Sequence, residues 1–179
     1  MKIRATQIPE VLLVEPAVFQ DVRGEFMEVF NQKRMAEFGL PHFVQDNLSH
    51  SRRGVVRGLH YQIRQPQGKL VRCTSGAAFD VVIDLRRSSP FFGKHVSVVL
   101  SERRNMLWIP PGFAHGFQAL GDNVCFEYKV TDYYAPEHER TILWNDCDLG
   151  IAWPLIDGDL VVSEKDRQGV PFREAEVFP

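Results

Sequence analysis

Residues 78–85 read AFDVVIDL and residues 96–101 read VSVVLS, two short runs rich in valine and other apolar residues. The second run alternates well enough to predict a half-buried β-strand, and the first predicts another strand after a Ser75-Gly76 turn. Similar runs follow at hairpin-like spacing over residues 55–63, 69–74, 106–109, 115–120 and 124–132. Repeated short strands of this kind are typical of sandwiches and barrels, so the sequence predicts an all-β fold.

Helical segments are few and short. Residues 31–38 predict a helix with Asn31 as its N-cap and Gly39 as its C-terminal stop. Ser163 begins a second helical turn, because Ser163 and Asp166 have the S-x-x-D spacing of a capping box. In that interpretation the carboxylate of Asp166 serves the end of the helix.

The composition excludes several classes of protein. The length of 179 residues predicts one domain over residues 1–179, and a net charge of −2 argues against a nucleic-acid binder. The 3 cysteines are widely spaced, which favours free thiols in a reducing compartment over a disulfide framework. No apolar run approaches the roughly 18 residues of a membrane span, and no signal peptide is visible. We therefore expect a cytoplasmic protein that does not enter the membrane.

Two of the 6 histidines stand out as candidates for chemistry. His60 lies within the strand-like run VVRGLHYQ, and His115 follows the proline-rich turn PPGFA that leads into a strand. The alternative for each is an interior histidine that only makes hydrogen bonds. The remaining histidines are expected to be surface or hydrogen-bonding residues.

A metal site is predicted to be absent. His60-x-Gln62 followed by P-x-G-x-x-H at residues 110–115 resembles the two motifs of the cupin superfamily. Metal-binding cupins have a second histidine where Gln62 stands, and residues 63–67 contain no glutamate. Because a carboxamide is a poor ligand for zinc or iron, we expect the fold of a cupin without its metal or any other cofactor.

Lys69 and Tyr128 could add acid–base groups to an apolar interior, or they could be an exposed strand end and an ordinary core aromatic. Arg57 is a candidate for binding an anion. Strict strand alternation puts Arg57 and His60 on opposite faces, unless Gly58 permits a bulge. The paired arginines at 52–53, 86–87 and 103–104 are expected to be solvated turn residues.

Several longer motifs form a set that is more specific than any one of them. They are DVRGEF (21–26), VQDN (44–47), VRGLH (56–60), QGKLVR (67–72), WIPPGFAHGF (108–117), YK (128–129) and ILWND (142–146). In their order and spacing, from about residue 10 to residue 167, they resemble the dTDP-4-dehydrorhamnose 3,5-epimerase family.

The resemblance implies a cupin-type double-stranded β-helix, or jelly roll, that forms a homodimer and binds dTDP-4-keto-6-deoxyglucose without a metal. It implies that His60 is the base, that Tyr128 is the acid on the opposite face of the sugar, and that Asp166 pairs with His60. Lys69 would lie beside the C4 oxygen. The residues implied to bind the nucleotide and the sugar are Arg23, Glu28, Gln45, Asn47, Arg57, His115, Tyr133, Glu139 and Lys165.

The expected activity is inversion at C3 and C5 to give dTDP-4-dehydro-L-rhamnose. Both carbons flank a ketone, so loss of either proton gives an enolate whose charge falls on the C4 oxygen, where a lysine stabilises it. Inversion then needs a base on one face and a proton donor on the other. The alternatives are a mono-epimerase acting at C3 or C5 only, and a non-catalytic cupin that binds sugar nucleotides.

Overall fold

The computed structural model describes residues 1–102, 105–154, 156 and 158–179. The described strands are β1 (Lys2–Ala5), β2 (Leu12–Glu15), β3 (Val18–Asp21), β4 (Gly24–Met27), β5 (Gln45–Ser51), β6 (Val55–Gln62), β7 (Lys69–Ser75), β8 (Ala77–Asp84), β9 (His95–Ser101), β10 (Met106–Ile109), β11 (Phe113–Ala119), β12 (Val124–Val130), β13 (Glu139–Thr141) and β14 (Val161–Val162). The helices are α1 (Gln32–Glu37) and α2 (Glu164–Arg167), with 3₁₀ turns at Pro136–His138 and Phe172–Glu174. The arginine pair at 103–104 lies outside the described residues.

The strands form two large sheets and one hairpin. The first sheet has the order β1-β2-β10-β7-β12-β5, and the second has the order β13-β6-β11-β8-β9 with β14 added beside β6. The strands β3 and β4 pair only with each other. Consecutive strands alternate between the two sheets from β5 to β8 and again from β9 to β12, whereas β8 and β9 are neighbours in the second sheet. All sheet pairings among the described strands except β14 with β6 are antiparallel. The all-β prediction with a few short helices is confirmed.

Apolar side chains from both sheets meet in a shared core. Phe126 on β12 and Val82 on β8 belong to one buried cluster with Leu100 and Leu107. Burial of each such side chain contributes roughly 1.5–3 kcal/mol. This packing holds the inner faces of the sheets at a fixed separation, and that separation sets the width of the space between them.

The predicted strands are present, but the sequence patterns missed the polar ones. Strand β11 begins at Phe113, two residues before the predicted start, and β12 ends at Val130. Strands β1 to β5, β13 and β14 were not predicted. Strand β5 reads QDNLSHS, and β3 is exposed along its whole length, so neither has the apolar alternation that marks a half-buried strand. Their backbone pairing with neighbouring strands defines them instead.

The two helices begin as predicted. The side chain of Asn31 accepts hydrogen bonds from the backbone N–H groups of Lys33 and Arg34 at the start of α1. The side chain of Ser163 accepts one from the backbone N–H of Asp166 at the start of α2. Among the described residues, no helix has the length and apolar content to cross a bilayer.

A bulge in β6 answers the question of strand alternation raised by Arg57 and His60. Arg57 pairs with Phe117 and His60 pairs with His115, so β6 spans three steps where β11 spans two. Gly58 has a φ of +128°, and a Cβ there would lie 2.5 Å from the Cα of Gly116. Only glycine suits such a backbone at this approach. The extra residue brings Arg57 and His60 to the same side.

Candidate active site

Two adjoining depressions open between the sheets, and we call them together the cleft. The larger has a volume of about 750 Å³ and the smaller about 320 Å³, sizes typical of ligand pockets. His60, Lys69 and Tyr128 line both depressions. His60 comes from the second sheet, whereas Lys69 and Tyr128 come from the first. The two sheets therefore present different titratable groups to one space.

His60 forms a close pair with Asp166. The Nε2 atom of His60 lies 2.5 Å from Oδ1 of Asp166, and the backbone N–H of Gly58 donates to Oδ2 at 3.3 Å. The cap of α2 uses the backbone N–H of Asp166, which donates to Oγ of Ser163 at 3.1 Å, and leaves the carboxylate to His60. Capping and pairing are therefore compatible in one residue.

The environment keeps Asp166 ionised. Burial by itself raises the pKa of this carboxyl, but the hydrogen bonds and charge of His60, with the Gly58 N–H, outweigh burial and lower the pKa below its usual value. An ionised carboxylate holds the imidazole orientation and stabilises a proton on the ring. With Nε2 facing Asp166, Nδ1 of His60 is the nitrogen left to accept a proton.

Lys69 and Tyr128 are neighbours on the first sheet. Lys69 pairs with Val130 of β12, and Tyr128 lies two residues before Val130 on the same face of that strand. Burial lowers the pKa of Lys69 to about 8, although Glu139 and Asp80 oppose the shift. Burial raises the pKa of Tyr128, so the phenol keeps its proton at neutral pH. The pair supplies a cation and a proton donor.

His115 forms a second histidine–carboxylate pair. Its Nε2 lies 2.8 Å from Oδ2 of Asp80, and its ring stacks on Phe126 with the ring centroids 6.0 Å apart. Asp80 is 0% exposed, and its Oδ1 has no hydrogen-bond partner among the described residues. Burial raises the pKa of Asp80 against the opposing effects of His115 and Lys69.

Glu139 links three segments at the edge of the cleft. Nζ of Lys165, on α2, lies 2.6 Å from Oε2 of Glu139, and the hydroxyl of Tyr134 donates to the same oxygen at 2.8 Å. Burial by itself raises the pKa of Glu139, but the contacts with Lys165 and Tyr134 lower it by more. The net pKa is therefore below its usual value.

The other predicted binding residues divide into two groups. Gln45 and Asn47 on β5 line the smaller depression, where Nε2 of Gln45 donates to Oδ1 of Asn47 at 2.9 Å. Tyr133 is 62% exposed and is not among the residues lining the cleft. Arg23 pairs with Asp21 in the β3–β4 hairpin turn.

Glu28 also lies away from the lining of the cleft. Its Oε1 is 3.1 Å from Nε of Arg34, and its Oε2 accepts a hydrogen bond from Asn31 at 3.1 Å. The structure therefore brings together, at one cleft, the predicted residues His60, Tyr128, Asp166, Lys69, Gln45, Asn47, Arg57, His115, Glu139 and Lys165. It does not bring Arg23, Glu28 or Tyr133 into that cleft.

The sequence profile of the dTDP-4-dehydrorhamnose 3,5-epimerase family matches residues 5–174. The chain belongs to this family. The curated family member from Pseudomonas aeruginosa is 58% identical over 182 residues, covering 100% of both chains. The expectation of an isomerase of the 3,5-epimerase type is confirmed.

Solved structures of epimerases have the same fold as this family member. A Legionella pneumophila dTDP-6-deoxy-D-glucose-3,5-epimerase, solved in complex with dTDP-4-keto-L-rhamnose, has a TM-score of 0.94 and 46% identity, covering 98% of this chain and 94% of its own. A 3'-monoepimerase from Streptomyces bikiniensis, solved with dTDP-quinovose, has a TM-score of 0.86 and 33% identity, covering 94% and 87%. The prediction of a cupin-type jelly roll is confirmed.

Two polar residues were missed from the sequence: Tyr134, which lines this epimerase cleft, and Asp80, which is buried behind His115. Asp80 had a visible signal, because it is a carboxylate inside the apolar run AFDVVIDL and such a residue needs a partner when buried. Tyr134 had none, since its importance rests on Glu139 and on a loop whose path the sequence pattern does not predict.

Gln62 occupies the position of a cupin metal ligand, but its carboxamide is engaged with the backbone. Its Nε2 donates to the carbonyls of Gln65 and Tyr133, and its Oε1 accepts from the N–H of Ala135. Within the described part of the chain, no group of three or more histidine, cysteine or acidic side chains is arranged to hold a metal ion.

Proposed function

We propose that the cleft binds dTDP-4-keto-6-deoxy-D-glucose and inverts its C3 and C5 carbons in turn, giving dTDP-4-dehydro-L-rhamnose. The observation that supports this best is that the proposed base and the proposed proton donor lie on opposite sheets. His60 with Asp166 lies on the side of the second sheet, whereas Tyr128 and Lys69 lie on the first. A flat enolate between the sheets would meet a base on one face and a proton donor on the other.

The proton transfers follow from the chemistry of a ketone. Nδ1 of His60 takes the proton from the carbon beside C4, and the electron pair of the broken C–H bond moves into an enolate whose charge lies on the C4 oxygen. The ammonium of Lys69 stabilises charge that develops only in the transition state and the enolate. Tyr128 then donates its proton to the opposite face of the same carbon.

Each inversion leaves His60 protonated and Tyr128 deprotonated, so both groups must exchange protons with water before the next one. The larger depression, which His60 and Tyr128 share, is open to solvent in the free protein and gives water this access. Repetition at the second carbon completes the double epimerisation. The whole of residues 1–179 acts as one domain in this proposal.

The nucleotide is assigned to the polar residues around the reacting centre. Arg57 and His115 suit the diphosphate, because a guanidinium and an imidazole donate hydrogen bonds to phosphate oxygens. Gln45, Asn47, Glu139 and Lys165 offer polar contacts to the sugar and the nucleoside, and Tyr133 presents an exposed ring on which a base can stack.

The protein is proposed to be a homodimer in which the β3–β4 hairpin packs against a second copy. A two-stranded hairpin is marginally stable alone, and this one exposes Val18, Phe19, Val22 and Phe26 to solvent. The same hairpin carries Arg23, and Glu28 follows it directly. Docking on a second copy would bury the apolar surface and deliver Arg23 and Glu28 to the partner's cleft.

Mixing two inactive variants tests the dimer. Arg23→Ala chains retain His60, and His60→Asn chains retain Arg23. If Arg23 acts across the interface, mixed dimers contain one intact site, and activity returns when the two variants are unfolded and refolded together. Activity that does not return on mixing would assign Arg23 to its own chain.

A cytoplasmic location is also proposed, since the three cysteines Cys73, Cys125 and Cys147 are free thiols.

Solvent labelling tests the reaction. Turnover in heavy water should place deuterium at both C3 and C5 of the product, as read by NMR. Deuterium at one carbon only would indicate a mono-epimerase, and no deuterium would indicate a protein that binds without catalysis. The variant Tyr128→Phe should still exchange protons, with retention, while inverted product falls. Full inversion in Tyr128→Phe would remove Tyr128 from the role of acid.

A further inference from the structure

The loop at residues 131–135, which we call the tyrosine loop, is tied to the sheets through its backbone. It follows β12 and contains Tyr133 and Tyr134, both with exposed rings. Nε2 of Gln67 donates to the carbonyl of Asp132 at 2.9 Å, and Oε1 of Gln45 accepts from the N–H of Tyr134 at 3.1 Å. These two contacts come from glutamine side chains outside the loop, and a third glutamine is buried beneath it.

That third glutamine is Gln62. It is 4% exposed and lies two residues after His60 on β6, on the same face of the strand. Its Nε2 donates to the carbonyl of Tyr133 at 3.2 Å and to that of Gln65 at 2.8 Å, and its Oε1 accepts from the N–H of Ala135 at 2.9 Å. The single carboxamide thus joins the centre and the end of the tyrosine loop to the strand that carries His60.

We propose that Gln62 is a positioning residue, which ties the tyrosine loop to the His60 strand and thereby fixes where the nucleotide base stacks relative to the reacting carbons. The proposal rests on the proposed function, because it takes Tyr133 as the stacking residue. Gln62 stands where a metal-binding cupin has a ligand. Its side chain here orders a wall of the cleft.

The effect of losing this contact should fall on binding. Replacement of Gln62 by methionine keeps the length of the side chain but leaves two carbonyls and one N–H without their buried partner, and unmade buried hydrogen bonds are costly. The contacts from Gln67 and Gln45 remain, so the tyrosine loop stays attached but its centre is free to move. The stacked base is remote from C3 and C5, and its contacts are the same in the ground state and the transition state. Their loss raises KM and leaves kcat nearly unchanged.

The first experiment compares two buried glutamines. We expect Gln62→Met to raise KM by about tenfold and to change kcat by less than about twofold. Gln118→Met is the matched control. Gln118 is 0% exposed and donates to the carbonyl of Pro154 at 3.0 Å, and it does not line the cleft. The midpoint temperature of thermal unfolding should fall in both variants, whereas KM should rise only in Gln62→Met. An equal rise of KM in Gln118→Met would overturn the proposal.

The second experiment is a double-mutant cycle with Tyr133→Ala. If Gln62 acts through the placement of Tyr133, the KM of the double variant should match that of Tyr133→Ala alone. Effects of Gln62→Met and Tyr133→Ala that multiply would overturn the positioning role and leave the stacking role intact. A Tyr133→Ala variant with the parent KM would overturn both roles. Deuterium at C3 and C5 would in that case still support the proposed reaction.

Gln67→Met keeps the test available should Gln62→Met fail to fold. Gln67 is less buried than Gln62 and donates one hydrogen bond to the same loop. We expect a smaller rise of KM, on the order of threefold, that also disappears in the Tyr133→Ala background. A rise that persists in that background would show that the loop anchors do not act through Tyr133, and would overturn the proposal.

Discussion

The two histidine–carboxylate pairs at the cleft are alike in the atoms they join and in distance, but they differ in electrostatics. His60 and His115 are direct cross-strand neighbours on β6 and β11, and each has Nε2 within 2.8 Å of a carboxylate oxygen. Asp166 reaches the first ring from α2, and Asp80 reaches the second from β8 of the same sheet. The same pair of residue types has therefore been built twice at one site.

The difference lies in what else contacts each carboxylate. Asp166 also accepts the Gly58 N–H, and its pKa is lowered, whereas Asp80 has one oxygen without a partner among the described residues and a raised pKa. A carboxylate whose charged form is favoured by its contacts stabilises a protonated imidazole more than one whose charged form is disfavoured by burial. We therefore expect the hydrogen bonds around each carboxylate to distinguish the proposed proton acceptor, His60, from the proposed substrate-binding histidine, His115.

The largest effect on kcat should come from replacing each histidine by asparagine, one at a time. His60→Asn should lower kcat by about 10²–10⁴-fold, the range for loss of a positioned base, and should abolish deuterium uptake. His115→Asn should act mainly on KM, with kcat reduced by less than about tenfold. Steady-state kinetics on the two variants measure the contrast. Equal losses of kcat would mean that the two pairs share one role.

Replacing the two carboxylates should give the same order of kcat losses as replacing the two histidines, with smaller losses. Asp166→Asn removes the charge that supports the imidazolium, and kcat should fall on the order of 10²-fold. Asp80→Asn removes a carboxylate whose charged form is already disfavoured by burial, so kcat should fall less than about tenfold and the thermal midpoint should not fall below that of Asp166→Asn. A larger kcat loss in Asp80→Asn would reverse the assignment.

The pH dependence sharpens the comparison through Lys69. Its pKa is lowered to about 8 by burial, and the proposed mechanism needs the protonated form, so kcat/KM, which reports groups of the free enzyme, should decline as the pH rises through about 8. The negative charge of Asp80 raises that pKa, so in Asp80→Asn the decline should begin at lower pH. The Asp166→Asn variant, made as the control, should keep the decline where the parent has it. If the decline occurs at the same pH in Asp80→Asn as in the parent, the pKa of Lys69 does not depend on the charge of Asp80.

The smallest effect concerns Arg57, which lies on β6 opposite Phe117 of β11 and lines the cleft beside both pairs. Arg57→Ala should raise KM roughly fivefold with little change in kcat, because a diphosphate contact exists equally before and during the reaction. The salt dependence of KM should also weaken. Arg87→Ala, an exposed arginine outside the cleft, is the matched control. Unchanged kinetics in Arg57→Ala would remove Arg57 from substrate binding.

Much of the fold follows from local patterns. The strands around 55–62, 77–84 and 124–130 were visible as apolar runs, and the caps at Asn31 and Ser163 were visible as residue types at fixed offsets. These features depend on neighbours within a few residues. The polar strand β5 was not visible, because it pairs with β12, which is distant in the sequence and which the local pattern does not specify.

The candidate site was predictable as a set of residues and not as an arrangement. The motif resemblance named His60, Asp166, Lys69 and Tyr128, but it could not say that the cap of α2 leaves the Asp166 carboxylate free. The sequence pattern predicts Asp80 only as part of a strand. Its partnership with His115 depends on the register between β8 and β11, which the packing of the sheet decides.

The sequence by itself determined the apolar strands, the starts of the two helices, and which residue types are available for acid–base chemistry. Only the tertiary structure decided their partners. His60 and Asp166 meet across 106 residues of chain, and the bulge at Gly58 turns Arg57 and His60 to the same side. The physical reason is that pKa shifts and hydrogen bonds depend on burial and on close neighbours in space. Both arise only when the two sheets pack together and α2 comes beside β6.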